Sequence, residues 1–337
     1  MPQQTNRQIV LAARPSGYPG PSDFKLVQSE VPGPEEGQVL LRVLWLSLDP
    51  YMRGRMRDAQ SYAPSVQIGQ VMVGGTVGEV IESRTPTFAV GDIVESGLGW
   101  QEFGLSNGIG LRKVDLALGP ISTALGVLGM PGMTAYFGLL EVGAPEPGDT
   151  VVVSAAAGAV GQVVGQIARI MGCRVVGIAG TPQKVDYIIN DLGFDYGINY
   201  KTENVEAALA NACPDGVDVY FDNVGGHVTD AVLQRINTGA RISVCGQISL
   251  YNLEEPELAP RSMGLLITKQ ARMEGFLSGK FAGRFEEARR RMASWIDSGE
   301  LRYREDVVEG LEKAPAAFIG MMTGENFGKL LVRVSDE

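Results

Sequence analysis

The sequence predicts an α/β protein made of an irregular, barrel-like β domain and a doubly wound parallel sheet. Three observations lead there. Short β-prone runs broken by Gly and Pro fill residues 1–125. Strand-like and helix-like segments then alternate regularly from Gly148 to residue 249, the signature of repeated βα units. Finally, 44 glycines in 337 residues are nearly double the usual share of about 7%, so turns and close backbone approaches are abundant.

In the first part, 38–49 (QVLLRVLWLSLD) is apolar and β-prone. The run 71–83 follows, with bends or bulges expected at Gly74-Gly75 and Gly78. A turn at 88–92 leads into a further strand. Segment 121–142 is apolar and helix-compatible, with a bend at Pro131-Gly132. Then come strand 150–156, helix 159–172, strand 173–180, a helix from Pro182 to about Leu192, strand 196–200, a helix near 203–212, strand segment 216–226, a helix near 228–236 and strand 240–249. Helix 285–301 is charged and amphipathic, and 328–337 is a last strand that returns to the first domain. The predicted division is therefore 1–125 rejoined by 310–337, with 126–309 inserted between them.

Composition narrows the chemistry. A formal charge of −10 argues against broad nucleic-acid or anionic-membrane binding. Three cysteines and one histidine rule out a disulfide framework and a His/Cys metal cluster. The N-terminal apolar run, residues 9–13, is too short for a signal peptide or a membrane span, and an intracellular, cytoplasmic location is expected.

The strongest local motif is Ala155-Ala156-Ala157-Gly158-Ala159-Val160-Gly161, between an apolar strand and a helix. Small residues there let the backbone approach a pyrophosphate at a helix N-terminus, although Ala156 replaces the usual first glycine of G-x-G-x-x-G. The next strand ends in Ala179-Gly180-Thr181 without the carboxylate that binds a ribose 2′-OH. Thr181 is expected as N-cap, with Pro182 at the first helical position. Lys184 in the first turn opposes the helix dipole, and a bound 2′-phosphate would reverse that sign. NADP is therefore expected over NAD; the plainer reading of Lys184 is a solvated lysine. Tyr200 and Asn223 end the following strands, where position alone fits a cofactor contact or a turn residue equally well.

Taken in order, AAAGAVGQVVGQIAR, AGTPQKV, GINYKT, YFDNVGG, CGQISLYN, MEGF and GENFGKLLV, with LSLDPYMRGRM and MPGMTAYFGL, resemble the zinc-free medium-chain dehydrogenase/reductases. The resemblance is to the prostaglandin reductase / leukotriene dehydrogenase type, with its bacterial NADPH-dependent curcumin reductase-like and plant alkenal double-bond reductase relatives. It covers nearly the whole chain. It implies a GroES-like domain, a Rossmann domain and a homodimer. The implied activity is NADPH-dependent reduction of the carbon–carbon double bond of an α,β-unsaturated ketone or aldehyde.

The same resemblance implies that Gly158, Ala159, Val160 and Gly161 cradle the pyrophosphate, and that Lys184 and Tyr200 hold the 2′-phosphate. Asn223, Cys245, Gly246, Gln247, Ile248, Ser249, Tyr251, Phe276, Leu277, Ser278 and Asn326 would line the adenosine and nicotinamide portions. Gln70 stands where zinc-dependent relatives carry a histidine, so no metal is expected. His227 reads as a cap-region or surface residue. A neutral donor aimed at the substrate carbonyl suits this chemistry, and Tyr251 and Tyr51 are the two candidates; in the alternative, either packs a pocket wall while a ribose hydroxyl or water gives the proton. Two other functions stay open: a zeta-crystallin-like quinone reductase, and an NADPH-binding protein without turnover.

Overall fold

The structure, a computed structural model, describes residues 5–337; residues 1–4 of the predicted first domain lie outside the described residues. The chain forms two compact units, one of Met1–Gly126, Glu305–Asn326 and Leu330–Glu337, the other of Val127–Arg304 and Phe327–Lys329.

The first unit is mostly β. Strands β1 (Thr5–Leu11) and β2 (Phe24–Glu30) pair as an antiparallel ribbon. The sequence concealed this ribbon, because β2 is polar and mostly exposed along its length. Strand β3 (Val39–Ser47) is buried almost throughout, as its apolar run dictates. After the five-residue helix α1 (Tyr51–Arg55) come β4 (Thr76–Ser83), β5 (Ile93–Ser96), β6 (Phe103–Ser106) and β7 (Arg112–Lys113). The expected irregularity at Gly78 is present: the β3–β4 register shifts beside it, and a Cβ there would lie 2.6 Å from the Arg42 carbonyl oxygen. Residues 71–75, expected as strand, make only an isolated bridge, Val71 to Val10.

Segment 121–142 leads into the second unit, which begins at Val127, and forms three short elements rather than one helix. Ile121–Leu125 is a 3₁₀ turn of the first unit, α2 spans Met130–Phe137, and Gly138–Gly143 is a π-helical turn closed by Ala144 at φ 43°. Gly126 and Gly129, between the 3₁₀ turn and α2, interrupt the run. Then β8 (Thr150–Ser154), α3 (Gly161–Ile170), β9 (Arg174–Ala179), α4 (Pro182–Asn190), β10 (Tyr196–Asn199), α5 (Val205–Ala212), β11 (Val217–Asp222), α6 (Gly226–Leu233), β12 (Ile236–Val244), α7 (Met263–Thr268), β13 (Arg272–Gly275) and α8 (Phe285–Asp297) follow. The six strands lie in the order β10-β9-β8-β11-β12-β13, all parallel, which is the Rossmann arrangement. Strand β12 corrects the expected 240–249. It starts at Ile236, through polar residues, and stops at Val244; the Asp222 carbonyl accepts the last ladder bond from the Cys245 N–H and a further one from the Gly246 N–H, where the chain turns away.

The chain then returns to the first unit through β14 (Glu305–Glu309), α9 (Ala314–Met322) and β15 (Lys329–Arg333). With them the barrel sheet runs β14-β15-β3-β4-β5-β7, with β6 paired to β3. Phe318 of α9 meets Trp100 edge-on at 5.7 Å, and Trp100 stacks on Phe24 at 5.5 Å, so the C-terminal return completes the core of the N-terminal strands. Among the described residues no helix is long and apolar enough to cross a membrane.

One contact sets how closely α3 lies on the sheet. A Cβ on Gly165 would fall 1.9 Å from Phe194 Cζ, so the ring rests directly on the helix backbone. Gly165→Ala is expected to lower unfolding free energy by about 1–3 kcal/mol in urea denaturation, and Phe194→Leu in the same chain to recover part of it. An unchanged Gly165→Ala midpoint would contradict this packing.

Candidate functional site

The site residues on the second unit all follow the carboxyl ends of its parallel strands, where ligands bind in open α/β sheets. The β8–α3 turn is the tightest part. Ala155 has φ 48°, a left-handed conformation costly for a residue with a Cβ and frequent at ligand-holding turns. That geometry lets the Ala155 carbonyl accept the Gly158 N–H at 2.9 Å, and Gly158 in turn accepts from Gln162 at 3.1 Å. Gly161 must be glycine on steric grounds, since a Cβ would lie 2.3 Å from the Ala155 oxygen. The result is a backbone cradle opening a ten-residue helix, whose first N–H groups and dipole favour an anionic group.

The rear of this loop is braced within the same unit. Gly328 donates its N–H to the Ala157 carbonyl at 3.1 Å. Gln162 accepts the Tyr187 hydroxyl and the Arg304 backbone N–H at 3.1 and 3.0 Å. The Arg304 guanidinium stacks 4.0 Å from the Phe327 ring centre, and the Tyr187 ring meets Phe327 edge-on.

At the end of β9 the expected cap is present: Thr181 Oγ1 accepts the Lys184 N–H at 3.2 Å, and Pro182 occupies the first helical position. Lys184 thus stands in the first turn of α4. Tyr200, just beyond β10, donates its N–H to the Ala179 carbonyl and lays its ring over Gly180, where a Cβ would come 2.8 Å from Cε1 and 3.1 Å from the phenol oxygen. The β9–α4 turn and the Tyr200 phenol therefore share one corner.

Beyond β11 the organising group is one that sequence reading missed. Asp222 is buried. Its Oδ1 accepts the N–H groups of Val224 and Gly225 at 2.9 Å and the Tyr220 hydroxyl at 3.0 Å, while Oδ2 accepts the Thr229 hydroxyl at 2.7 Å. Its carbonyl accepts from Cys245 and Gly246. The carboxylate sets the turn that presents Asn223, and the backbone carbonyl of the same residue ties that turn to the segment after β12. An aspartate at a strand end before Asn-Val-Gly-Gly is an Asx-turn signal that could have revealed it. Asn223 joins the carboxyl ends of β8 and β11: its N–H goes to Ser154 Oγ at 2.9 Å and its side-chain amide to the Ser154 carbonyl at 2.7 Å.

In the loop after β12, Gln247 donates its N–H to the Tyr251 hydroxyl at 3.3 Å, and Ser249 donates N–H and Oγ–H to the Val224 carbonyl at 3.1 and 2.7 Å. Cys245, Gly246, Gln247, Ile248, Ser249 and Tyr251 are thereby held beside the Asn223 turn. After β13, Phe276 packs edge-on to Phe221 at 6.1 Å, followed by exposed Leu277 and half-buried Ser278. Tyr51 opens α1 in the first unit and Asn326 ends that unit's return segment. Burial and then the Asp49 charge push the Tyr51 phenol up from its ordinary range, so it stays protonated.

Two family models match the chain: residues 7–114 match the N-terminal domain of oxidoreductase, and residues 159–294 match zinc-binding dehydrogenase. The chain is 49% identical to NADPH-dependent curcumin reductase of Escherichia coli over 99% of both proteins. The chain belongs to the medium-chain dehydrogenase/reductase family. It is also 44% identical to the tobacco (Nicotiana tabacum) 2-alkenal reductase (NADP(+)-dependent), over 99% of this chain and 98% of that one. CurA from Vibrio vulnificus in complex with NADPH superposes with a TM-score of 0.94 at 47% identity, over 98% of this chain and 100% of that one.

The second family is described by its zinc, which needs three or four grouped Cys, His or carboxylate ligands. Among the described residues no three His, Cys, Asp or Glu side chains are grouped to hold a metal ion. Position 70 is a glutamine, whose neutral amide is a poor zinc ligand. The residues described do not fit zinc.

Cys245 lends itself to a pH test. Burial and then the Asp222 charge push its thiol up to about 12, from an ordinary 9.0. Raising the value leaves less thiolate at a given pH, about a thousandfold less here; the greater nucleophilicity of a basic thiolate restores about half of that on a logarithmic scale. Cys173 and Cys213 are buried, each pushed up to about 11 mainly by burial. At pH 8 iodoacetamide is expected to alkylate the native protein at least 10-fold more slowly than the urea-unfolded chain, with a rate still rising at pH 10. A native rate that levels off near pH 8 would contradict this environment.

Proposed function

We propose that this protein reduces the carbon–carbon double bond of α,β-unsaturated ketones and aldehydes at the expense of NADPH. The observation that carries the cofactor part is the β9–α4 corner: Lys184 in a capped first turn, the Tyr200 phenol over Gly180, and no carboxylate at the end of β9. A ribose 2′-OH would find no carboxylate in that turn, whereas a 2′-phosphate would meet an ammonium and a phenol. The similarity to curcumin and 2-alkenal reductases supports the substrate class.

The cradle fits a pyrophosphate, because Gly158 and Gly161 leave the helix N-terminus uncovered. Gly158, Ala159, Val160 and Gly161 bind it, and Lys184 and Tyr200 hold the 2′-phosphate. Asn223, Cys245–Ser249 and Phe276–Ser278 line the remainder. When bound, NADPH supplies the hydride that adds to the substrate β-carbon.

The chain's own task is to orient the enone, exclude water and stabilise the negative charge that develops on the carbonyl oxygen. Tyr251 is the donor to that oxygen. Its hydroxyl oxygen accepts the Gln247 N–H, which makes the phenol a stronger donor of its own proton.

NADPH oxidation is expected with medium-chain alkenals and alkenones, and to be slower with quinones. Lys184→Ala is expected to raise the NADPH KM about 10-fold or more while leaving NADH turnover unchanged. Tyr251→Phe is expected to lower kcat about 10–100-fold, less than a full oxyanion-hole donor of about 10²–10³, with little change in NADPH KM. Preference for quinones, or no turnover of any enone, would overturn the reading.

The same reading includes a cytoplasmic homodimer. Strand β13 is an edge of the parallel sheet, and Met263 and Ile267 of the neighbouring α7 are 66% and 81% exposed, a face suited to a second copy. The three cysteines are unpaired, which fits a reducing compartment. Light scattering after gel filtration is expected to give twice the chain mass; a stable monomer at micromolar concentration would contradict it.

A further inference from the structure

His227 is the chain's single histidine, and the fold gives it a place that a generic surface residue would not have. The second residue of α6, it follows Gly225 and Gly226, both at positive φ (73° and 58°). These glycines lie beyond the Asp222 carboxylate, which accepts the Gly225 N–H, and the turn they form sends α6 off from the ligand end of the sheet. The imidazole is exposed, and its aromatic neighbour is Tyr200: the two ring centres are 6.4 Å apart with a 55° tilt. The Tyr200 ring in turn covers Gly180, with its phenol oxygen beside the turn that Thr181 caps and Lys184 follows. Three chain segments, from the ends of β9, β10 and β11, thus bring the first turn of α4, a phenol and an imidazole to one corner.

We infer that His227 is a specificity-determining residue that favours the phosphorylated adenosine of NADPH over the unphosphorylated one. The inference rests on the assignment of that corner to the 2′-phosphate. Its physical basis is charge and donor supply. A phosphate monoester brings close to two negative charges to a protein whose formal charge is −10. The imidazole offers a ring N–H, and a second N–H with positive charge when protonated, whereas an unphosphorylated ribose gives it no anion to meet. Glu257 and Glu203 are the acidic groups near this corner: Glu257 Oε2 is 3.6 Å from a Cβ built on Gly226, and Glu203 is turned to the Asn199 backbone N–H at 2.6 Å.

Because the histidine is unique, one imidazole signal reports the site without any substitution. The untagged full-length protein, labelled with ¹³C-histidine, is titrated with adenosine 2′,5′-bisphosphate and separately with adenosine 5′-monophosphate. The bisphosphate is expected to shift the imidazole resonance markedly, and the monophosphate to shift it little at equal saturation. By calorimetry, His227→Ala is expected to weaken bisphosphate binding about fivefold with monophosphate binding unchanged, and His227→Glu to weaken it further. Equal imidazole shifts with the two nucleotides, or bisphosphate affinity unchanged in His227→Ala and His227→Glu, would overturn the role of His227 while leaving Lys184 and Tyr200 in place. A wild-type protein that binds both nucleotides equally, with no loss in Lys184→Ala, would instead overturn the 2′-phosphate assignment, and the inference about His227 with it.

Discussion

Everything at the candidate site depends on one steric condition: the backbone of α3 must lie against the end of β8 with no side chain between them. Gly161 meets that condition, because its Cα sits where a Cβ would strike the Ala155 oxygen. Ala155 accepts a left-handed φ to make the approach, a cost of about 1–3 kcal/mol in local strain. In return, the helix N-terminus reaches the ligand edge of the sheet uncovered. Gln162, Tyr187, Arg304, Phe327 and Gly328 brace the loop from behind. A strained turn persists only where its surroundings over-determine it, and that bracing provides the determination.

A second constraint operates across the sheet. The buried Asp222 carboxylate gathers two backbone N–H groups and three hydroxyls, and the backbone carbonyl of the same residue accepts the Cys245 and Gly246 N–H groups at the end of β12. Removing the carboxylate would orphan several buried donors at once, each costing about 1–3 kcal/mol. The turns after β11 and β12 therefore behave as one rigid surface. Such rigidity matters for hydride chemistry, in which the protein contributes orientation and a well-placed donor while the cofactor carries the reactive atom. It also explains how a chain with one histidine and no grouped metal ligands among its described residues can still support a reaction.

What could be read from the sequence was what is local. The apolar runs of β3, β8, β9 and β11, the Thr181 cap with Pro182, and the small-residue turn at 155–161 each carry their cause within a few residues. The doubly wound sheet followed from their alternation. What could not be read was set at a distance. The Asn223–Ser154 bonds join residues 69 apart, and the burial of Asp222 requires strands from across the sheet. The β1–β2 ribbon escaped because β2 has no apolar face of its own, and the start of β12 because Asn237-Thr238-Gly239 looks like a turn. The left-handed Ala155 gave no signal, since alanine rarely adopts that conformation.

The central claim concerns where the hydride goes, and an isotope label tests it directly. Stereospecifically deuterated NADPH, carrying the label at the transferable position of the nicotinamide, is incubated with the protein and an alkenone, and the product is examined by mass spectrometry and NMR. The account predicts a saturated ketone with deuterium on the former β-carbon and a solvent-derived proton on the α-carbon. Deuterium on the carbonyl carbon of an allylic alcohol would contradict it.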